Sequence, residues 1–226
     1  MDLRQFPDKF AVVMGSGEAV TYAELDARSI RFARVLHERG LRPGDHLALY
    51  AENHIRYFEV FWAAMRSGLY LTPINWHLGA DEAGYIVDDC EAKVLVTTKA
   101  RADEVAAIRR LAPRCGAGFM IDGVEAGFES YEDAIAGQTA EPRDDEPRGD
   151  FMLYSSGTTG RPKGIERPLS GVTFSDPTPF GASMLERFLL GMGEESVYLC
   201  PAPLYHAAPL AFTSGIHDLG GTAVVM

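Results

Sequence analysis

Short apolar runs alternate with amphipathic helical segments along the first half of this chain, and that alternation restricts the fold more than any other feature. Thr21 precedes a segment whose apolar residues Tyr22, Leu25, Ile30, Phe32, Ala33 and Leu36 give it one apolar face. Glu24, three residues on, completes a capping box, and Gly40 stops the helix. Pro43, Gly44 and Asp45 turn the chain into a strand over His46–Tyr50. The pattern then predicts a Phe- and Trp-rich helix over 55–67, a strand over 69–73, a helix over Ala80–Asp89, a strand over 93–97, a helix over 101–111 and a strand over 118–121. Strands separated by helices of this length join in parallel through right-handed crossovers. The expected fold class is α/β, with mostly parallel sheets and helices on both faces.

Ahead of this unit, Phe10–Met14 and Ala19–Thr21 flank Gly15, Ser16 and Gly17 and read as a hairpin. Residues 137–149 are polar with two prolines and read as an exposed connection within one domain. It divides residues 1–136, a first α/β subregion, from residues 150–226. In the latter, Pro177 to Gly181 break the chain, and the pattern predicts a helix over 184–192, a strand over Val197–Cys200, a helix over 208–219 and a strand over 222–226. That last strand is expected to leave an exposed edge. Phe188, Leu189, Leu190, Tyr205 and Phe212 read mostly as core residues.

Composition excludes several function classes. Twenty-one basic against 32 acidic residues give a net charge of −11, which argues against nucleic acid as a partner, because a phosphate backbone needs a basic footprint. Hydrophobic content of 46% supports a packed core. Cys90, Cys115 and Cys200 lack the spacing of a disulfide framework or zinc site, which fits a reducing, cytoplasmic location. The N-terminus lacks an apolar signal core. The longest apolar run, residues 60–65, is far short of the roughly 20 residues of a transmembrane segment. Scattered histidines have no metal-ligand spacing, and acidic neighbours such as Asp88 and Asp89 read as solvated.

The chemistry concentrates after residue 150. An apolar run, residues 151–154, reads as a buried strand, and it leads into Ser155, Ser156, Gly157, Thr158, Thr159 and Gly160, followed by Arg161, Pro162, Lys163 and Gly164. Glycines let backbone amides approach a ligand, hydroxyls donate hydrogen bonds, and Lys163 adds a mobile positive charge. Such a loop suits a polyphosphate. It is not a Walker A loop, since Lys163 follows Pro162 and precedes Gly164. No Gly-x-Ser-x-Gly elbow supports a hydrolase triad.

The stretch from Ser155 to Gly164 closely resembles the phosphate-binding loop of the adenylate-forming enzymes, the superfamily of acyl-CoA synthetases and AMP-dependent ligases. The segment Pro201, Ala202, Pro203, Leu204, Tyr205, His206, Ala207, Ala208, Pro209 is similar to that family's aromatic-His motif. The Thr21-Tyr22-Ala23-Glu24-Leu25 helix start and the Gly44-Asp45 turn also match in order. Residues 165–169 depart from the family's pattern after the loop.

The resemblance implies the first part of the large N-terminal domain, with the adenine and ribose segments, hinge and C-terminal domain expected beyond Met226. It implies ATP, Mg2+, a carboxylic acid, expected to be a fatty acid, and coenzyme A as the participants. Ser155, Ser156, Gly157, Thr158, Thr159, Gly160 and Lys163 would hold phosphate, and Tyr205 and His206 would line the acyl site. Lys163 and His206 are the expected catalytic residues, and residues 1–226 alone are expected to turn over weakly or not at all. A noncatalytic nucleotide-binding module and an enzyme loading a carrier protein stay open as alternatives, as does a homo-oligomer.

Overall fold

The computed structural model describes residues 5–155, 161–176 and 182–226. Strands β1 (Phe10–Met14) and β2 (Ala19–Thr21) pair antiparallel as a hairpin. Helix α1 (Tyr22–Glu38) begins with the expected capping box. The Thr21 hydroxyl accepts from the Glu24 N–H at 3.2 Å, and the Glu24 carboxylate accepts from the Thr21 N–H at 2.8 Å. There follow β3 (His46–Tyr50), α2 (Tyr57–Arg66), β4 (Tyr70–Ile74), α3 (Ala80–Asp89), β5 (Val94–Thr98), α4 (Ala102–Leu111) and β6 (Ala117–Ile121). The sequence pattern gives no signal for β7 (Glu129–Ser130) or α5 (Tyr131–Ala136). Yet Ser130 caps α5, its hydroxyl accepting from the Asp133 N–H at 3.2 Å.

Six strands in the order β7-β6-β5-β3-β4-β8, with β8 at Asp150–Phe151, form one sheet in which every pair is parallel. Successive side chains on a strand point to opposite faces, and here both faces are buried. Leu47, Leu49, Leu71, Val94, Val96 and Phe119 pack with Phe32 of α1, Trp62 of α2 and Tyr131 of α5. Ala48, Tyr50, Tyr70, Leu95 and Met120 pack with Ile86 of α3 and Val105 and Ile108 of α4. A sheet covered on both sides is what near-continuous apolar strands demand.

The chain then continues through β9 (Leu153–Ser155), β10 (Lys163–Ile165), α6 (Ala182–Leu189), β11 (Val197–Cys200), α7 (Ala207–Asp218) and β12 (Thr222–Val225). A second sheet has the order β11-β12-β1-β2. Its parallel β1–β12 pair joins the first and last strands, Val12 opposite Ala223 and Val13 opposite Val224.

Several expectations need correction. Residues 151–154 are not one buried strand: β8 ends at Phe151, Met152 is buried between the strands, and β9 starts a different pairing. β12 is not an edge, because it lies between β11 and β1. The edges of this sheet are β2 and β11, and β11 leaves Val197 66% and Leu199 57% exposed. Phe188, Leu189 and Leu190 are not core residues either, since α6 turns Phe188 and Leu189 outward at 73% and 74% exposure. Only Glu186 is buried among the α6 side chains described. The expected break at residues 177–181 lies outside the described residues.

Polar groups tie the layers together. Glu59 of α2, fully buried, meets Arg28 of α1 at 2.7 Å and Arg56 at 2.8 Å, and accepts from the Tyr131 hydroxyl of α5 at 3.0 Å. At the end of the 137–149 segment, Arg148 is buried and bonds to the Phe174 carbonyl at 3.0 Å and to Asp218 of α7 at 3.3 Å. A Cβ on Gly149 would lie 2.3 Å from the Leu69 carbonyl oxygen, so only glycine lets the chain pass the end of α2 into β8.

Candidate functional site

The antiparallel β9–β10 ribbon places Ser155 opposite Lys163, Tyr154 opposite Gly164 and Leu153 opposite Ile165. It therefore brings together the two ends of the Ser/Thr/Gly segment. Ser156, Gly157, Thr158, Thr159 and Gly160 lie outside the described residues. Ser155 is exposed, and its hydroxyl faces the Lys163 carbonyl at 3.4 Å, a long and weak contact. A Cβ on Gly164 would sit 2.0 Å from Met152 Cε and 3.0 Å from Tyr154 Cζ, so glycine permits the strands to close here.

The Lys163 side chain is exposed. Among the described residues its ammonium has no hydrogen bond or ion pair. Other cations nearby are engaged: Arg161 lies over the Tyr85 ring at 5.0 Å, and Arg167 bonds to Asp150 at 2.9 Å. An ammonium with no partner among the described residues, beside a hydroxyl-rich segment, can accept an anion without first breaking a pairing to them.

Tyr205 and His206 sit on the turn between β11 and α7, with ring centroids 4.3 Å apart. Asn53 holds that turn. Its side-chain oxygen accepts from the Leu204 N–H at 2.8 Å, and its amide donates to the carbonyls of Ala202 at 3.3 Å and Met226 at 2.8 Å. Nothing in the sequence pattern singles out Asn53, because its partners lie about 150 residues away along the chain. His206 occupies the N-cap of α7, yet its ring makes no capping bond. It is exposed, and Tyr205 is half-buried.

The far end of α7 is pinned by His217. Its Nδ1 accepts from the Trp62 indole N–H at 3.2 Å, so Nε2 carries the proton and donates to the Ala11 carbonyl at 3.1 Å. No hydrogen bond, ion pair or ring contact among the described residues links the ribbon to the Tyr205–His206 turn. Nor do the described residues include a group of three or more His, Cys, Asp or Glu able to hold a metal ion. No helix of the described residues is long and apolar enough to cross a membrane.

The acidic neighbours Asp88 and Asp89 are not simply solvated. Asp88 pairs with Arg114 at 3.3 Å, and Asp89 accepts from the Tyr154 hydroxyl at 2.6 Å and the Tyr85 hydroxyl at 3.2 Å. Burial, reinforced by the Asp89 bond, holds the Tyr154 phenol well above its ordinary range.

Comparison with known proteins adds an independent line. The sequence model of a family described as AMP-binding enzyme matches residues 2–226. The chain is 32% identical over 226 residues to a feruloyl-CoA synthase of Amycolatopsis sp., covering 99% of this chain and 42% of that protein. It is 30% identical over 194 residues to the long-chain-fatty-acid–CoA ligase FadD13 of Mycobacterium tuberculosis, covering 84% of this chain and 36% of that protein. Among solved structures, ATP-bound MatB from Rhodopseudomonas palustris superposes with a TM-score of 0.74 at 28% identity, covering 97% of this chain and 42% of that one. The chain thus spans about two fifths of the length of these relatives.

Proposed function

The chain belongs to the AMP-binding enzyme family, and from that premise we propose that it supplies the pyrophosphate-holding loop and the acyl-side turn of an ATP-dependent acyl-CoA synthetase. A carboxylate oxygen attacks the α-phosphorus of MgATP, the bond to the β-phosphate oxygen breaks, and acyl-adenylate and pyrophosphate form. The thiol of coenzyme A then attacks the acyl carbon and AMP leaves. One observation carries this reading: Lys163, without a partner among the described residues, stands at the exit of the Ser/Thr/Gly segment directly opposite Ser155.

Negative charge grows on the departing pyrophosphate, so donors fixed where it will lie lower the barrier. Lys163 and Ser155, with Ser156, Gly157, Thr158, Thr159 and Gly160, are the proposed donors. His206 and Tyr205 position the acid. No general base is needed, because a carboxylic acid with a pKa of about 4 is already ionised at neutral pH. Mg2+ would come bound to the phosphates of ATP and would share the charge that grows on the departing pyrophosphate.

The acid proposed is a fatty acid, a reading supported by the likeness to FadD13. The likeness to a feruloyl-CoA synthase favours an aryl acid as the second reading. A reducing cytoplasm as the location is supported by Cys90, Cys115 and Cys200, all buried and unpaired. ATP–pyrophosphate isotope exchange by the protein at its full expressed length, with a long-chain fatty acid and with ferulate in parallel, tests the proposal. Acid-dependent exchange is the expected result. Nucleotide binding with no exchange for any acid would instead favour a noncatalytic module.

A further inference from the structure

The β9–β10 ribbon has three residue pairs and joins neither of the larger sheets. Two-stranded pairings this short are marginal alone, so the place of the ribbon depends on what its side chains hold. Asp89, the last residue of α3, reaches both of its ends. On the entry strand, the Tyr154 hydroxyl donates to Asp89 Oδ2 at 2.6 Å. On the exit side, the Tyr85 hydroxyl lies 3.2 Å from Asp89 Oδ1 and 3.3 Å from the Pro162 carbonyl, within reach of both acceptors. The Arg161 guanidinium covers the Tyr85 ring at 5.0 Å. One carboxylate therefore engages two phenols: Tyr154 stands just before the Ser/Thr/Gly segment, and the Tyr85 hydroxyl, sharing its one proton between Asp89 and the Pro162 carbonyl, stands against the residues just after it.

We propose that Asp89 is a positioning residue for the phosphate loop: through Tyr154 and Tyr85 it fixes both ends of the loop and thereby the place of Lys163. The proposal rests on the reading of that loop as a pyrophosphate site. Other tethers act further along. The Tyr70 hydroxyl donates to the Arg167 carbonyl at 2.6 Å, and Arg167 meets Asp150 at 2.9 Å, both beyond β10. Asp89 itself is exposed, while α3 is seated by buried Ala83, Ile86 and Val87. Removing the carboxylate should thus free the loop ends without unseating the helix.

The test uses Asp89→Ala, Asp89→Asn, Tyr154→Phe and the Asp89→Ala/Tyr154→Phe double variant. The readouts are the Kd for inorganic pyrophosphate with Mg2+ by calorimetry, the rate of tryptic cleavage after Lys163 by mass spectrometry, and the melting temperature. Asp89→Ala should weaken pyrophosphate binding by about tenfold and speed cleavage after Lys163, at a nearly unchanged melting temperature. Asp89→Asn, whose amide oxygen still accepts from a phenol, should recover most of the loss. Tyr154→Phe added to Asp89→Ala should change little, because both remove the same bond. Wild-type affinity and cleavage rate in Asp89→Ala would overturn the proposal, as would fully additive effects in the double variant. If the wild type itself does not bind pyrophosphate, the reading of the loop fails. The cleavage rates still decide whether Asp89 anchors it. Should Asp89→Ala fold poorly, Tyr154→Phe and Tyr85→Phe carry the same readouts.

Discussion

Replacing His217 with glutamine should change how stability depends on pH in a way that can be worked out from its surroundings. The imidazole is fully enclosed, with Tyr22, Phe58 and Trp62 around it. Its Nδ1 is occupied as an acceptor from Trp62 and its Nε2 as a donor to Ala11. A second proton would place a charge in that apolar setting, and burial accordingly pushes the pKa down to about 4 from 6.5. The folded value lies below the unfolded one, so the unfolded chain takes up the proton first as pH falls. The stability from this group is fully present above about pH 6.5. It declines by about 1.4 kcal/mol per pH unit toward pH 4, a total of about 3 kcal/mol.

Urea unfolding of the wild type and His217→Gln from pH 4 to pH 8 measures this. The variant should be the less stable at pH 8, through lost packing and hydrogen bonding, and should close the gap by about 3 kcal/mol on approaching pH 4. Glu186 and Asp218, whose pKa values burial raises, act with the opposite sign. They are present in both proteins and cancel in the difference. A gap between the two curves that stays constant from pH 7 to pH 4 would refute the reasoning. Because His217 fastens α7 to β1 and α2, the same titration reports on the helix that begins at His206.

Glu186, buried with neither carboxyl oxygen partnered among the described residues, has its pKa raised to about 7 by burial. Its folded value exceeds its unfolded one, so the wild type should lose stability relative to Glu186→Gln as pH rises from about 4.5 through 7; equal gaps at pH 5 and pH 8 would contradict this. Glu59→Ala leaves Arg28 and Arg56 facing an empty buried position and should cost about 3–5 kcal/mol by chemical denaturation. A loss below about 1 kcal/mol would show that the network is not holding α1, α2 and α5 together. Phe188→Ser should alter stability by no more than about 0.5 kcal/mol, since the ring is 73% exposed, while lowering self-association and binding of an apolar dye; a large loss of stability would mean that α6 packs differently.

Local signals carried most of the fold. The Thr21–Glu24 capping box and the glycine stops are written within a few residues, and the parallel sheet follows from helices spaced between apolar strands. α5 escaped because its six residues are too few for a helical period to show. β10 escaped because it pairs only with β9 across the loop, a partner that a Lys-Gly-Ile string does not advertise. The position of β12 between β11 and β1 depends on contacts more than 200 residues apart, which no local pattern encodes. Hydrophobicity misdirected the reading of α6, since an apolar residue says that burial is favourable but not which surface will provide it. In the candidate site, the hydroxyls, glycines and Lys163 were legible from residue type alone. Asn53 and Asp89 were not, because each acts on segments far away in sequence, and an acid next to another acid reads as solvated.

Lys163 is proposed above all to meet a pyrophosphate, and titration calorimetry of inorganic pyrophosphate with Mg2+ into the wild type and Lys163→Ala tests that most directly. Binding weakened about tenfold in the variant at an unchanged melting temperature is the predicted result, the size expected for one lost charge-assisted hydrogen bond. Equal affinity in the two proteins would contradict it.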